Sequence, residues 1–520
     1  MEEQQPKRQS KGMLIGIIIA VLVAAGGASA FFFLKSSPKQ DYLKAEKATV
    51  DQATELFKDR YANEVKWAET QLDKPVDSTL KLSADWNDPN VDYSLREAQS
   101  IVNNSEIVLN SIYDAKKKEL ELGINGSLGT VSIDPAVFNV DAENLFLSLP
   151  FTKDVLFVNG KDFGKLMKEM DPYYDGPEEI DFSTLFDQEQ LAARKFQTYV
   201  MDEYGKFLYK ELPDEAFESE KENLDLYGEK LKAEKLSMTL TEQQSKDLIK
   251  SLFKKVQQDE QFKKLLKDVI IEQSTGGIYA MPGSEEAADT LMEDFDSGIQ
   301  EAIDSIDENL HLPDGIQSTI WVHKKSIVKR SFAVTAGEEV ELQIEGEQLL
   351  EKDQQQWTYD FIAIDKTYNE ENKVTFTGDL NWDGKKGKDT MKLLVADVEI
   401  GYEGEESLDG KERTFNRGIH FNDSYDNFKL IWDGNATHEK DSATASHQFK
   451  VDGGIPYVGD ITLNLDTEGK IVKKVDMPTK DDAVNVGTMS AQELEDYLYN
   501  EIMPQFGMWS EQFMTELYNY

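Results

Sequence analysis

The residues of this 520-residue chain that look most able to do chemistry are the oxygen donors of DLNWDGKKGKDT, Asp379 to Thr390. Asp379, Asn381 and Asp383 alternate and Gly384 follows at once, matching positions 1, 3, 5 and 6 of a helix-loop-helix calcium loop. The bidentate Glu that closes such a loop is missing: position 12 is Thr390, and the flanking residues alternate like strands. Trp432-Asp433-Gly434 repeats Trp382-Asp383-Gly384 at the end of another alternating run. Asp-Gly after a strand is a hairpin signal, because glycine accepts positive φ without steric cost. A hairpin is the preferred reading. If Ca2+ binds, Asp379, Asn381 and Asp383 are the expected ligands, and no other cofactor is suggested.

Covalent catalysis has little to work with. The chain has no Cys and no G-x-S-x-G elbow. Ser326-Ile327-Val328-Lys329 fits S-x-x-K, but so do Ser36 to Lys39 and Ser251 to Lys254, and neither S-D-N nor K-T-G accompanies them. Ser326 also sits in an extended pattern, where the Ser and Lys side chains diverge. The five histidines, His311, His323, His420, His438 and His447, never stand at i, i+4, so only tertiary convergence would make a zinc site of them. The expectation is a protein that is not an enzyme and has no catalytic residues.

The elements around these residues are set by charge and periodicity. A net charge of −43, from 99 acidic against 56 basic residues, excludes nucleic acid as a partner. Residues 13–34, MLIGIIIAVLVAAGGASAFFFL, form an uncharged run that as a helix spans about 33 Å, against about 30 Å of bilayer hydrocarbon. Ala28-Ser29-Ala30 offers a signal-peptidase site, yet the apolar run continues past it, so an uncleaved anchor is expected. With no cysteine in the chain, export is the favoured direction. These readings give a single-pass plasma-membrane protein: a cytoplasmic tail at 1–12, an anchor at 13–34 and an extracytoplasmic body.

Within that body Tyr42 to Leu72 reads as an amphipathic helix able to stand the rest off the bilayer, and 35–183 continues as short antiparallel strands. Residues 184–310 read as an α-rich central region, with a capping box at Thr241 and Gln244. Residues 311–480 hold eleven alternating segments, a large curved antiparallel sheet, and 481–520 a C-terminal helix bearing Leu494, Leu498, Ile502, Phe506, Trp509 and Phe513. The fold class expected is α+β: an N-terminal transmembrane helix, one or more large curved antiparallel sheets packed with helices, and an α-rich insertion.

That order of helix, strands, helices and long meander resembles the half-barrel folds of bacterial lipoprotein carriers and related lipid-binding envelope proteins, which implies a curved sheet around an apolar cavity. KKSIVKRSFAV, with the anchor-plus-acidic-body plan, is similar to uncharacterised membrane-anchored extracytoplasmic proteins of Gram-positive bacilli, a likeness that implies no activity. The function expected is a non-enzymatic binding protein for lipid, lipoprotein or another apolar cell-envelope ligand. The alternatives are a structural or regulatory envelope interaction protein without a small ligand, and a hydrolase acting on wall or lipid.

Overall fold

The computed structural model describes residues 37–518, apart from 89–90, 187–191, 275–283, 338, 424–426 and 455–457. It begins with helix α1 (Pro38–Arg60). The Ser37 side chain accepts from the Gln40 amide, and Pro38 brings the φ that a first helical turn requires. Tyr61 interrupts the helix, and α2 (Ala62–Asp73) continues it. Six strands follow: β1 (Val76–Asn87), β2 (Glu106–Asp114), β3 (Glu119–Leu128), β4 (Val131–Val140), β5 (Asn144–Ser148) and β6 (Val155–Asn159). The middle of the chain supplies β7 (Phe217–Leu226), β8 (Glu229–Leu240) and helices α3 (Glu242–Gln258), α4 (Glu260–Ser274) and α5 (Ser284–Asn309).

A run of eleven strands comes next: β9 (Ile316–His323), β10 (Ser326–Ala336), β11 (Val340–Leu350), β12 (Gln354–Asp365), β13 (Glu370–Trp382), β14 (Lys386–Val395), β15 (Val398–Asp409), β16 (Glu412–Asn422), β17 (Asn427–His438), β18 (Ser442–Val451) and β19 (Asp460–Ile471). The chain closes with β20 (Ala483–Asn485) and α6 (Met503–Tyr518).

All twenty strands join one sheet. From edge to edge it runs β7, β8, β9 and onward in sequence to β19, then β1 to β6, then β20. Every pairing is antiparallel except β6 with β20. Among the described residues the edge strands β7 and β20 do not pair with each other, so the sheet is open.

Two observations show that it is curved. Tyr227, at the β7–β8 turn, donates its hydroxyl to the Glu347 carbonyl of β11 at 3.0 Å, reaching over the strands between. The second is the path of α1 and α2. The Tyr42 hydroxyl bonds Ser318 of β9 at 2.6 Å, and the Trp67 ring packs on Gly469 of β19. From Tyr42 to Trp67 the helices advance about 38 Å at 1.5 Å per residue. From β9 to β19 the sheet extends about 48 Å at 4.8 Å per strand. The helices therefore form a chord on the inner side of an arc.

The main core lies at the β7–β11 end, where Leu236, Leu240, Ile316 and Ile320 of the inner face pack against Leu248, Leu252 and Phe253 of α3 and Ile299 and Ile303 of α5. A second cluster, Val140, Phe182 and Phe186, covers the β2–β5 end.

Several expectations are corrected. Among the described residues no helix is long and apolar enough to cross a membrane. The tail at 1–12, the proposed span at 13–34 and the Ala28-Ser29-Ala30 site lie outside the described residues. The fold class built around a transmembrane anchor, and the single-pass plasma-membrane location built on it, are thus replaced by a protein organised around one continuous 20-stranded sheet. Region 184–310 is rich in helices but is not only an insertion, because within it β7 and β8 form a hairpin that carries the meander's edge. Their Lys- and Glu-rich sequence favours helix in isolation, yet Leu231, Ala233, Leu236, Met238 and Leu240 are all buried against neighbours only a sheet provides. Finally, α1 and α2 lie on the sheet instead of standing it off a surface.

Candidate functional site: an apolar trough beside a buried ion network

Residues paired directly across neighbouring antiparallel strands share a face, so the register sorts the sheet into two sides. The outer side of β13 to β19 carries Thr377, Asp379, Lys388, Thr390, Glu403, Glu405, Thr414, Asn416, Asp433, Gln448 and Asn464. The inner side has two halves along each strand. Under α1 and α2 it is buried; beyond them it is open.

The covered half holds a network of charges. Arg60 of α1 forks onto Asp389 of β14, with contacts of 3.1 and 2.6 Å, and its Nε donates to Glu406 of β15 at 2.7 Å. Arg413 of β16 donates to the same Glu406 oxygen at 2.8 Å, to Glu64 of α2 at 2.6 Å and to the Arg60 carbonyl at 2.6 Å. The side chains of Arg60, Asp389, Glu406 and Arg413 are each at most 8% exposed. Burial alone would lower the Arg60 pKa, but the bond to Asp389 and the charge of Glu406 hold it above its ordinary value. Burial also raises the Asp389 carboxyl, with Arg60 pulling the other way. The bidentate geometry keeps both charged, and desolvation sets the cost of the pair. Four of the chain's seven arginines, Arg60, Arg330, Arg413 and Arg417, stand along this seam; Arg330 pairs with Glu46 of α1.

The open half is apolar. One row crosses six strands as consecutive partners: Tyr359, Phe376, Leu393, Ile400, Phe421 and Phe428. Beside it run Phe361, Val374, Val395 and Val398, and on the other side Met391, Tyr402, Ile419, Leu430 and Val451. Trp432, Phe449, Leu463 and Ala84 carry the strip on to β1, and Leu82 meets Ile107 of β2. None of these side chains is charged. Phe361, Ile400, Ile419 and Phe428 are 42–48% exposed. The six-strand row alone is about 24 Å long, and five residues along a strand add a width of about 13 Å, roughly 300 Å² of floor. A contiguous apolar patch of that size falls in the range where the largest patch of a folded protein is often functional. Phe57, 60% exposed, and Tyr61 stand on the helical wall beside it, the Tyr61 hydroxyl 3.4 Å from Glu406.

The residues singled out from sequence lie elsewhere. Asp379 and Asn381 sit on the outer face of β13, and Asp383 at the turn into β14. Asp379 accepts from Gln354, Gln356 and Asn381 at 3.2, 3.0 and 2.7 Å. Asp383 accepts from the amides of Lys385 and Lys386, bonds that lower its pKa, and Gly384 has φ +92°. The Asp379 oxygens are thus taken up by β12 and Asn381 and that of Asp383 by its own turn, and among the described residues no group of three or more His, Asp or Glu side chains is placed to hold a metal. Ser326 bonds Gln52 beside a cavity of about 460 Å³ between α1 and the β9–β10 turn, whereas Lys329 turns to Glu347 at 2.8 Å, so the two do not meet. The histidines are scattered; His420 contacts Glu399 at 3.1 Å on the outer face.

An apolar surface on a curved sheet was expected, but neither the residues that line it nor the arginine seam was singled out, though a trace of both stands in RTFNRGIHF. There Arg413 and Arg417 keep phase with Phe415, Ile419 and Phe421, which places cations on an apolar face.

No protein-family model matches the chain, and no curated protein does. Solved structures it resembles include OpdQ of Pseudomonas aeruginosa, 7% identical over 77% of this chain and 97% of that one, with a TM-score of 0.23. Others are the outer membrane channel DcaP of Acinetobacter baumannii, 5% identical over 76% and 96%, TM-score 0.21, and the P pilus usher PapC translocation pore, 5% identical over 72% and 55%, TM-score 0.18. The chain spans about half the length of the usher. Scores this low carry no argument about fold or function. The comparisons do not place the chain in the lipoprotein-carrier or Gram-positive groups.

Proposed function

We propose that the protein is a non-enzymatic binding protein for a ligand with a long apolar tail, a lipid or lipid-bearing molecule, which lies in the open half of the inner face. One observation supports this above the rest: an uncharged, exposed apolar strip, continuous across the pairing register from β12 to β2, beside a helical wall and between two filled ends. An apolar core would have been covered, as the same face is at β7–β11. The strip runs along the floor of a curved sheet, where a chain gains contact on more than one side.

The energetics set the affinity. Burying a methylene gives about 0.8 kcal/mol, so a chain of about 14 methylenes, half covered by an open floor, gains about 5–6 kcal/mol before association costs. Tail burial alone corresponds to sub-millimolar binding at best, on the scale where 1 mM is about 4 kcal/mol. The experiment is native mass spectrometry of the purified soluble body, followed by titration with a 12-carbon alcohol and a 12-carbon carboxylate. Copurifying lipid or saturable tail-dependent binding is expected. A body that carries no lipid and binds neither compound refutes the reading.

A further inference from the structure

We propose that the ligand in the trough is anionic, and that Arg417 of β16 holds its head group. This rests on the binding role proposed above and adds the chemistry of the ligand's polar end. Arg417 stands where the ionic and apolar halves of the inner face meet: Arg413 and Phe415 precede it toward the covered side, Ile419 and Phe421 follow it toward the open side.

Its partners leave it underused. Arg60 and Arg413 each make several ionic contacts of 2.6–3.1 Å. Among the described residues Arg417 has one acidic contact, 3.4 Å to the Glu406 oxygen that the Tyr61 hydroxyl also approaches at 3.4 Å. The other Glu406 oxygen is taken by Arg60 and Arg413. A guanidinium has five N–H donors in a planar fork suited to carboxylate or phosphate. This one is packed against aromatic rings, 4.2 Å from the Phe415 centroid and 4.6 Å from that of Trp432, so its position is fixed in advance and little side-chain freedom is lost on binding.

A second donor lies beside it. Tyr402 folds over Gly404, and Gly404 is the direct cross-strand partner of Arg417. Burial raises the Tyr402 pKa while the Arg417 charge pulls it down, so the hydroxyl keeps its proton and is available to donate. From Arg417 to Phe421 the strand advances about 13 Å at 3.3 Å per residue, close to the roughly 15 Å that one leaflet's chains occupy in a bilayer. A head on Arg417 and Tyr402 thus leaves room for a tail over Ile419, Ile400, Phe421 and Phe428. The shared chemistry is a carboxylate or phosphate monoanion joined to an alkyl chain.

The test is calorimetric titration of the purified protein with dodecanoate, dodecyl phosphate, dodecanol, acetate and inorganic phosphate. Both anionic amphiphiles are expected to bind on the order of 10- to 100-fold more tightly than dodecanol, the range of a charge-assisted hydrogen bond, and the two small ions much more weakly. Arg417→Gln should abolish the preference for the anion, bringing both anionic amphiphiles down to the affinity of dodecanol. Arg417→Lys, which keeps the charge, should restore part of it, and serves as the check if the Gln variant melts early. Equal binding of dodecanol and the anions by the wild type, or a preference that survives in Arg417→Gln, overturns the inference while leaving the trough reading intact. Acetate or phosphate binding as tightly as the amphiphiles overturns it in favour of a small-anion site. Binding of none of the five overturns both.

Discussion

Truncating the middle of the trough floor isolates its contribution. In the free protein Phe421 is 36% exposed and Phe428 is 48% exposed, and the two are direct cross-strand partners. A tail lying on them therefore has a third to a half of each side chain left to bury. On a scale of about 1.5–3 kcal/mol for a whole buried side chain, that is about 1 kcal/mol apiece. The double variant Phe421→Ala/Phe428→Ala should lose about 2 kcal/mol of binding, near 30-fold in Kd. Because the pair is already half open, its stability cost should stay near the 0.2–1 kcal/mol of an exposed cross-strand pair, and the fold should survive. The assay is displacement of a fluorescent dodecanoate, read beside a thermal melt. Thr390→Ala, on the outer face of β14, is the control and should change neither. Unchanged affinity in the double variant with a normal melt would refute the reasoning, as would equal losses in the double variant and the control.

Other consequences can be measured independently. Glu406→Gln leaves Arg60 and Arg413 without their shared buried carboxylate and should cost about 3 kcal/mol or more in urea unfolding; a loss under 1 kcal/mol would show that the network does not hold the helices to the sheet. Burial lowers the His447 pKa, with Arg417 acting in the same sense and Asp466 opposing, and the neutral ring accepts from Trp432 Nε1 at 3.2 Å. Its folded value lies below the unfolded value of about 6.5, so the stability it lends is complete above pH 6.5 and is lost as pH falls through the folded value. Melts from pH 7 down to pH 5 should fall less steeply for His447→Gln than for the wild type. At the β13–β14 turn, Asp383→Ala removes the acceptor of two amides and should lower the melting temperature equally with and without millimolar calcium. A calcium-dependent difference would support the metal reading of Asp379, Asn381 and Asp383.

Much of the meander was legible because period-two alternation is strong where one face is apolar and the other polar. The divisions were less so. MKLLVADVEI reads as one segment but bends at Ala396, a non-glycine residue at φ +52°, into β14 and β15. IVKKVDM reads as a strand, yet β19 ends at Ile471, and beyond it the Val472 amide donates to the Pro75 carbonyl at 3.0 Å without continuing a strand. The β7–β8 hairpin was hidden by helix-favouring Lys and Glu, and its turn signal, Tyr227-Gly228, has positive φ at both positions but lacks the usual Asn or Asp. The α1–α2 chord could not be read at all, since which face a helix covers depends on contacts such as Arg60 with Asp389, 329 residues apart in sequence. The trough was half legible: alternation marked an apolar face, but only the register and the position of α1 and α2 show which half is left uncovered.

The central claim, that an acyl tail occupies the uncovered half of the inner face, is tested most directly by photocrosslinking. A dodecanoate carrying a terminal diazirine is bound to the purified protein and irradiated, and the labelled peptides are mapped. The account predicts labels confined to residues 393–400, 419–421 and 428–432, competed by unlabelled dodecanoate. Labels spread over the outer-face residues of the same strands, or insensitive to competitor, would contradict it.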